Sequence, residues 1–216
     1  FTLAHELGHA GHFKSCNSSQ SIFDTEVSTY FVEAPSTMNE LLMAHYLLKT
    51  NQDPRFRRWV LSCMIGNTYY HNFVTHLMEA AYQREVYRIV DDGGSVNAET
   101  LTRLMRETLQ AFWGEDVEIS DDAAHTWMRQ PHYYMGLYSY TYSAGLTVAT
   151  QACRRIEKEG ACAVEDWKKV LAAGSTLDPV GLAKLAGIDI TTDAPLLDTI
   201  AYIGEIIDEI ERLTED

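Results

Sequence analysis

Residues 1–13 read FTLAHELGHAGHF. Within them, His5-Glu6-Leu7-Gly8-His9 is an H-E-x-x-H pattern. Residues four apart share a face of an α-helix. The spacing therefore predicts a helix on which His5 and His9 offer imidazole nitrogens to one metal ion. Glu6 is turned away by about 100°. It misses the metal but reaches a water bound to it, where a general base belongs. Zinc suits this set, because it takes three protein ligands and keeps a fourth position for water. The bland alternative is two surface histidines on an amphipathic helix. Gly8 and Gly11 each weaken a helix by about 1 kcal/mol relative to alanine. They are read as places where another helix comes close. His12, two turns from His5, reads as a supporting or substrate-side residue rather than a ligand.

The third ligand sorts the zinc-peptidase types. One type continues H-E-x-x-H-x-x-G-x-x-H. Here His12 stands in the glycine place and Ser15 in the last histidine place, so that reading fails. The other type takes a carboxylate from a following helix. Residues 24–48, DTEVSTYFVEAPSTMNELLMAHYLL, offer Glu26, Glu33 and Glu40, spaced by seven. On a helix all three share one stripe, and spacing leaves them equal. Pro35 inside this helix predicts a kink, since it lacks an N–H and crowds residue 31.

The remaining chain reads as helix. Phe56, Trp59, Val60, Cys63, Tyr70, Phe73, Val74, Leu77 and Ala81 keep a three-four spacing over many turns. Asn97 caps a helix carrying Leu101, Leu104, Met105 and Phe112 on one face. Asp178-Pro179 starts another, and Leu197, Ile200, Ile203, Ile207 and Ile210 stripe the last. Residues 91–94 and 114–122 read as loops. No β-rich run, internal repeat or linker stands out, so a single all-α unit is expected.

Composition narrows the class. The chain has 216 residues, 46% hydrophobic and 22% charged, a globular profile. A net charge of −14 argues against nucleic acid as partner. No run of about 18 apolar residues predicts a membrane span. Cys16, Cys63, Cys153 and Cys162 lack C-x-x-C spacing and read as reduced thiols of an intracellular, cytoplasmic protein. His45, His71, His76 and His125 have no motif around them and read as structural or surface residues.

HELGHAGH (5–12), followed by YFVEAPSTMNE (30–40) and PHYYMGLYSYTYSAGL (131–146), resembles the thimet oligopeptidase superfamily, and oligoendopeptidase F most closely. The resemblance covers all 216 residues. It implies an all-α, zincin-like helical metallopeptidase catalytic domain with one Zn2+, truncated on its N-terminal side. Glu33 becomes the third zinc ligand beside His5 and His9. Glu40, two turns on, is read as anchoring a ligand histidine through its second ring nitrogen. The tyrosine-rich segment resembles the family's His/Tyr pair that faces the metal. A peptide oxyanion needs fixed donors there, and the resemblance offers His132 with Tyr140, Tyr138 being hard to separate from it by alignment. The catalytic set is then Glu6, His132 and Tyr140, acting on short peptide substrates.

The family's proteins are much longer, so residues 1–216 are expected to be the C-terminal part. The partner this implies is the missing N-terminal portion of the same polypeptide, which supplies the opposite wall of a channel and a substrate-binding edge strand. The start at Phe1, beside the motif, is read as a boundary or cleavage point. Two rivals stand beside this reading: a metal-binding helical module without catalysis, and a helical interaction scaffold.

Overall fold

Asp53 illustrates how the helices begin. Its carboxylate accepts from the backbone N–H groups of Arg55 and Phe56, and Pro54 takes the first helical position, where no N–H is needed. Asn97 caps the backbone of Thr100 in the same way, and Asp178 caps Gly181 ahead of Pro179. The computed structural model describes residues 1–215, and among them there are helices and turns but no strand. Ten α-helices follow in order: α1 Thr2–Ser19, α2 Glu33–Thr50, α3 Pro54–Cys63, α4 His76–Asp91, α5 Ala98–Trp113, α6 Asp121–Ala124, α7 Tyr140–Glu159, α8 Ala161–Ala173, α9 Pro179–Leu185 and α10 Ala194–Glu215.

The described residues form two compact units, one of residues 1–73 with 141 onward, the other of residues 74–140. Patterning alone expects one unit. Both boundaries fall inside helical stretches, so no Gly-, Pro- or Ser-rich linker marks them.

In the first unit α1 packs on α2 and α8, α3 on α2 and α10, and α8 on α9. The core holds Phe31, Met38, Leu41, Val60, Leu146 and Val170, all essentially inaccessible. The long period expected from Phe56 onward is helical throughout, but Met64–Thr75 is a π-helix. Its wider turns bury Thr68, Tyr69 and Asn72. Tyr70, which an α-period places on the apolar face, is 40% exposed, whereas Tyr69 is 1% exposed. The stripe expected to bury α10 is also rotated. Leu197 and Ile200 are about half exposed, while Pro195, Thr199 and Ile206 are inside. Most of that helix is apolar, so hydrophobicity leaves its rotation open. Two polar ties set it: Tyr202 OH to His45 Nε2 at 2.9 Å, and Arg57 to Glu209 at 2.6 Å.

The second unit packs α4 against α5, and α5 against α6. Tyr82, Leu104 and Met105 form its core, with Leu101, Trp127 and Tyr133 against them. Phe112, read as part of the same face, is 50% exposed in the last turn of α5. None of the four cysteines forms a disulfide. Among the described residues no helix is long and apolar enough to cross a membrane.

Candidate metal centre

Ala4, Gly8, His12 and Cys16 form the buried line of α1, four residues apart. That rotation leaves His5 and His9 at the rim of the buried face, both half-buried. A Cβ on Gly8 would lie 2.5 Å from Pro35 O and 2.6 Å from Ser36 Cα. Only glycine lets α1 meet the backbone of α2 this closely. Gly11, read as a second packing glycine, has nothing within 4 Å of an added Cβ. That expectation is corrected: Gly11 is simply tolerated on an exposed face.

The chain opposite also departs from expectation. α2 begins at Glu33, so Pro35 lies in its first turn and causes no kink. In the first turn the missing N–H has no helical partner to lose. Residues 25–28 are irregular, which removes exposed Glu26 from the stripe of carboxylates. Glu33 and Glu40 remain, both buried. Glu33 is pressed from its other side by α7. A Cβ on Gly145 would lie 2.8 Å from Ala34 N and 3.0 Å from Glu33 Cβ. Two glycines on two helices thus pin the start of α2.

The result is a convergence of three side chains. His5 Nε2 lies 3.4 Å and His9 Nε2 3.3 Å from the same Glu33 oxygen, Oε2. These separations are long for hydrogen bonds. They match the edge, about 3.3 Å, of a tetrahedron with zinc–ligand bonds of about 2.0–2.1 Å. His5 Nδ1 donates to Glu40 Oε1 at 2.7 Å, and Thr68 Oγ1 donates to the other Glu40 oxygen. This fixes the ring so that His5 Nε2 faces Glu33, where loss of its proton would free a lone pair for a metal. Ser36 Oγ donates to Glu33 Oε2 at 2.9 Å. Two histidines and a buried carboxylate at this spacing fit a zinc ion.

The electrostatics follow from the contacts. Burial pushes the Glu33 carboxyl up, but the facing His5 and His9 rings and the hydrogen bond from Ser36 outweigh it and hold Glu33 well below the usual carboxylate range. Burial disfavours charge on His5, yet Glu33 and Glu40 overcome it and raise its pKa to about 9. His12 is 1% exposed and lies outside the group. Burial, with the charge of His9, lowers its pKa to about 4.

Glu6 follows His5 on α1, is exposed, and makes no ion pair among the described residues. His132 and Tyr140 belong to the second unit. His132 stands in the 3-10 turn Pro131–Tyr134, its ring 5.4 Å from that of Tyr138, and Tyr140 is the first residue of α7. His76, read as a residue without context, is buried and hydrogen-bonds Glu79 at 2.7 Å. Burial raises Glu79, but hydrogen bonds from His76 and Gln130 hold it below its ordinary value.

Residues 1–202 match a family model described as Peptidase family M3. Oligopeptidase PepF of Bacillus subtilis (strain 168) is 30% identical over 213 residues, 99% of this chain and 32% of the relative. An oligoendopeptidase F homolog of Borreliella burgdorferi is 26% identical, over 99% of this chain and 36% of the relative. The crystal structure of oligoendopeptidase-F from Enterococcus faecium superposes with a TM-score of 0.83 at 27% identity, covering 99% of this chain and 39% of that one. The chain spans about a third of the length of the curated relatives it matches.

Proposed function

The chain belongs to peptidase family M3, and from that premise we propose that residues 1–216 are the C-terminal part of a zinc metalloendopeptidase catalytic domain that hydrolyses short oligopeptides. The observation that carries the reading is the approach of His5 Nε2 and His9 Nε2 to one oxygen of Glu33 at 3.4 and 3.3 Å.

A zinc ion held there would polarise a scissile carbonyl and make water acidic enough to react near neutral pH. The chain's own groups do the rest. Glu40 and Thr68 hold His5 in the tautomer that presents Nε2. Glu33 supplies a carboxylate that stays ionised far into acid. Glu6, unpaired and exposed, takes the proton from the attacking water and hands it to the leaving amine. His132 and Tyr140 are assigned as hydrogen-bond donors to the developing oxyanion; the family resemblance of residues 131–146 supports this assignment. The missing N-terminal portion of the polypeptide would hold the peptide in register.

Calorimetric titration of the chain with Zn2+ tests the ligand set. Binding at this centre should be lost in His9→Ala and in Glu33→Ala, and parent-like binding by both variants would refute it. In the longer parent protein, Glu6→Gln should keep zinc and lose turnover. Tyr140→Phe should lower kcat by about 10²–10³ with KM nearly unchanged. If Tyr138→Phe carries that loss instead, the two tyrosines exchange roles.

A further inference from the structure

We propose that His76, Glu79 and His132 form a second site for a divalent transition-metal ion of the zinc type, built from residues that the His5–His9–Glu33 group does not use. The inference stands on the second unit by itself and does not depend on peptidase activity; His132, assigned above as an oxyanion donor, would hold the ion through Nδ1 and keep its Nε2–H for that role.

Three observations carry it. The ligand atoms of the three residues all lie within 4.8 Å of one another, a property shared among the described residues only with His5, His9 and Glu33. Two ligands come from one turn of α4, at positions i and i+3, a spacing that places both on one face. The third comes from the turn that Pro131 opens. Finally, the carboxylate is already aimed. Gln130 Nε2 donates to Glu79 Oε1 at 2.6 Å, leaving Oε2 toward both imidazoles. It lies 2.7 Å from His76 Nδ1 and 4.0 Å from His132 Nδ1. Such an outer hydrogen bond is what orients a metal-binding carboxylate.

In the metal-free chain the short contact is a hydrogen bond. An ion would take the place of that proton, and the two nitrogen–oxygen separations would even out toward about 3.3 Å. The change is a few tenths of an ångström at His76 and under an ångström at His132, within side-chain adjustment. Two imidazoles with one carboxylate favour zinc, cobalt, nickel or copper over the oxygen-seeking magnesium and calcium. The His132 ring is 19% exposed, while its Nδ1 is itself buried beside Glu79.

The test uses Co2+ titrated into the 216-residue chain and followed by d–d absorption, with Zn2+ as competitor and far-UV circular dichroism as the check on folding. The parent should take up two equivalents and His9→Ala one. Adding Glu79→Gln, which preserves shape and hydrogen bonding, should weaken that remaining equivalent at least tenfold. Adding His132→Ala, at a half-buried position, should do the same. Either double variant that folds decides. A folded His9→Ala chain that takes up no Co2+ would overturn the inference, as would an equivalent that survives in either double variant. In those cases His76 and Glu79 are a buried hydrogen-bonded pair and nothing more.

Discussion

Gly8 and Gly11 are three residues apart, and their sequence surroundings are alike. The structure separates them completely: an added methyl meets backbone at 2.5 Å in one case and open space in the other. Gly8→Ala should therefore lower the melting temperature and weaken Zn2+ binding at least tenfold, because α1 must move off α2. Gly11→Ala should leave metal binding unchanged and stabilise the chain by up to about 1 kcal/mol, read by thermal denaturation. Equal behaviour of the two variants would contradict the crossing. A second consequence at this scale concerns protons. Unfolded, His5 titrates near its ordinary value of about 6.5; folded and metal-free, its pKa is raised to about 9. The stability it contributes is complete below about 6.5 and is lost as pH climbs through about 9. Zinc requires the neutral ring, so binding at pH 7 should expel about one proton from His5. Calorimetry in two buffers of different ionisation enthalpy reads that number, and zero release would count against the protonated resting state. The histidine pair was legible because both members sit on one turn of a contiguous segment. Glu33 needed the family resemblance, since three carboxylates shared its spacing. Thr68 was invisible, being 28 residues from the Glu40 it holds.

At the scale of elements, helix periodicity located most of the chain but not its rotations. The capped starts at Asn97 and Asp178 are local chemistry and are found where the sequence places them. The start of α2 carries no side-chain cap, so the stretch ahead of it reads as more helix and Pro35 as a kink. The π-helix Met64–Thr75 escapes an α-period reading for a related reason: apolar residues occur on both sides of Tyr69 and Tyr70, and only the wider turn selects Tyr69 for the interior. That same wide turn delivers Thr68 to Glu40. Thr68→Val keeps the volume and removes the donor. Zinc affinity should fall about 10–100-fold, the usual effect of losing a group that orients a ligand, while helix content stays constant by circular dichroism. An unchanged affinity would mean that Glu40 holds His5 without help from the π-helix.

For the whole molecule, two units stand where patterning expected one. The proposed zinc ligands His5, His9 and Glu33 all belong to the first. Under the proposed function, turnover also requires a grip that holds the peptide in register. A misplacement of about 1 Å can already lower a rate about 100-fold. The 216-residue chain should therefore bind zinc yet cleave a quenched-fluorescent peptide at least 100-fold more slowly than a longer chain carrying the proposed N-terminal part. A kcat/KM near that of the longer chain would show residues 1–216 to be sufficient.

The Gly8 crossing has a last consequence, for the size of ion the centre accepts. Soft side-chain packing would let His5 and His9 retreat from Glu33 to suit a larger guest. Here the spacing is set by backbone against backbone, because Gly8 rests on the main chain of Pro35 and Ser36. The cradle behaves as a rigid gauge. Calcium asks for six to eight oxygens at about 2.3–2.6 Å and would have to spread helices that have no room to give. Millimolar Ca2+ should therefore leave bound Zn2+ in place in a competition dialysis, whereas Gly8→Ala, by prising the helices apart, should blunt the distinction between small and large ions.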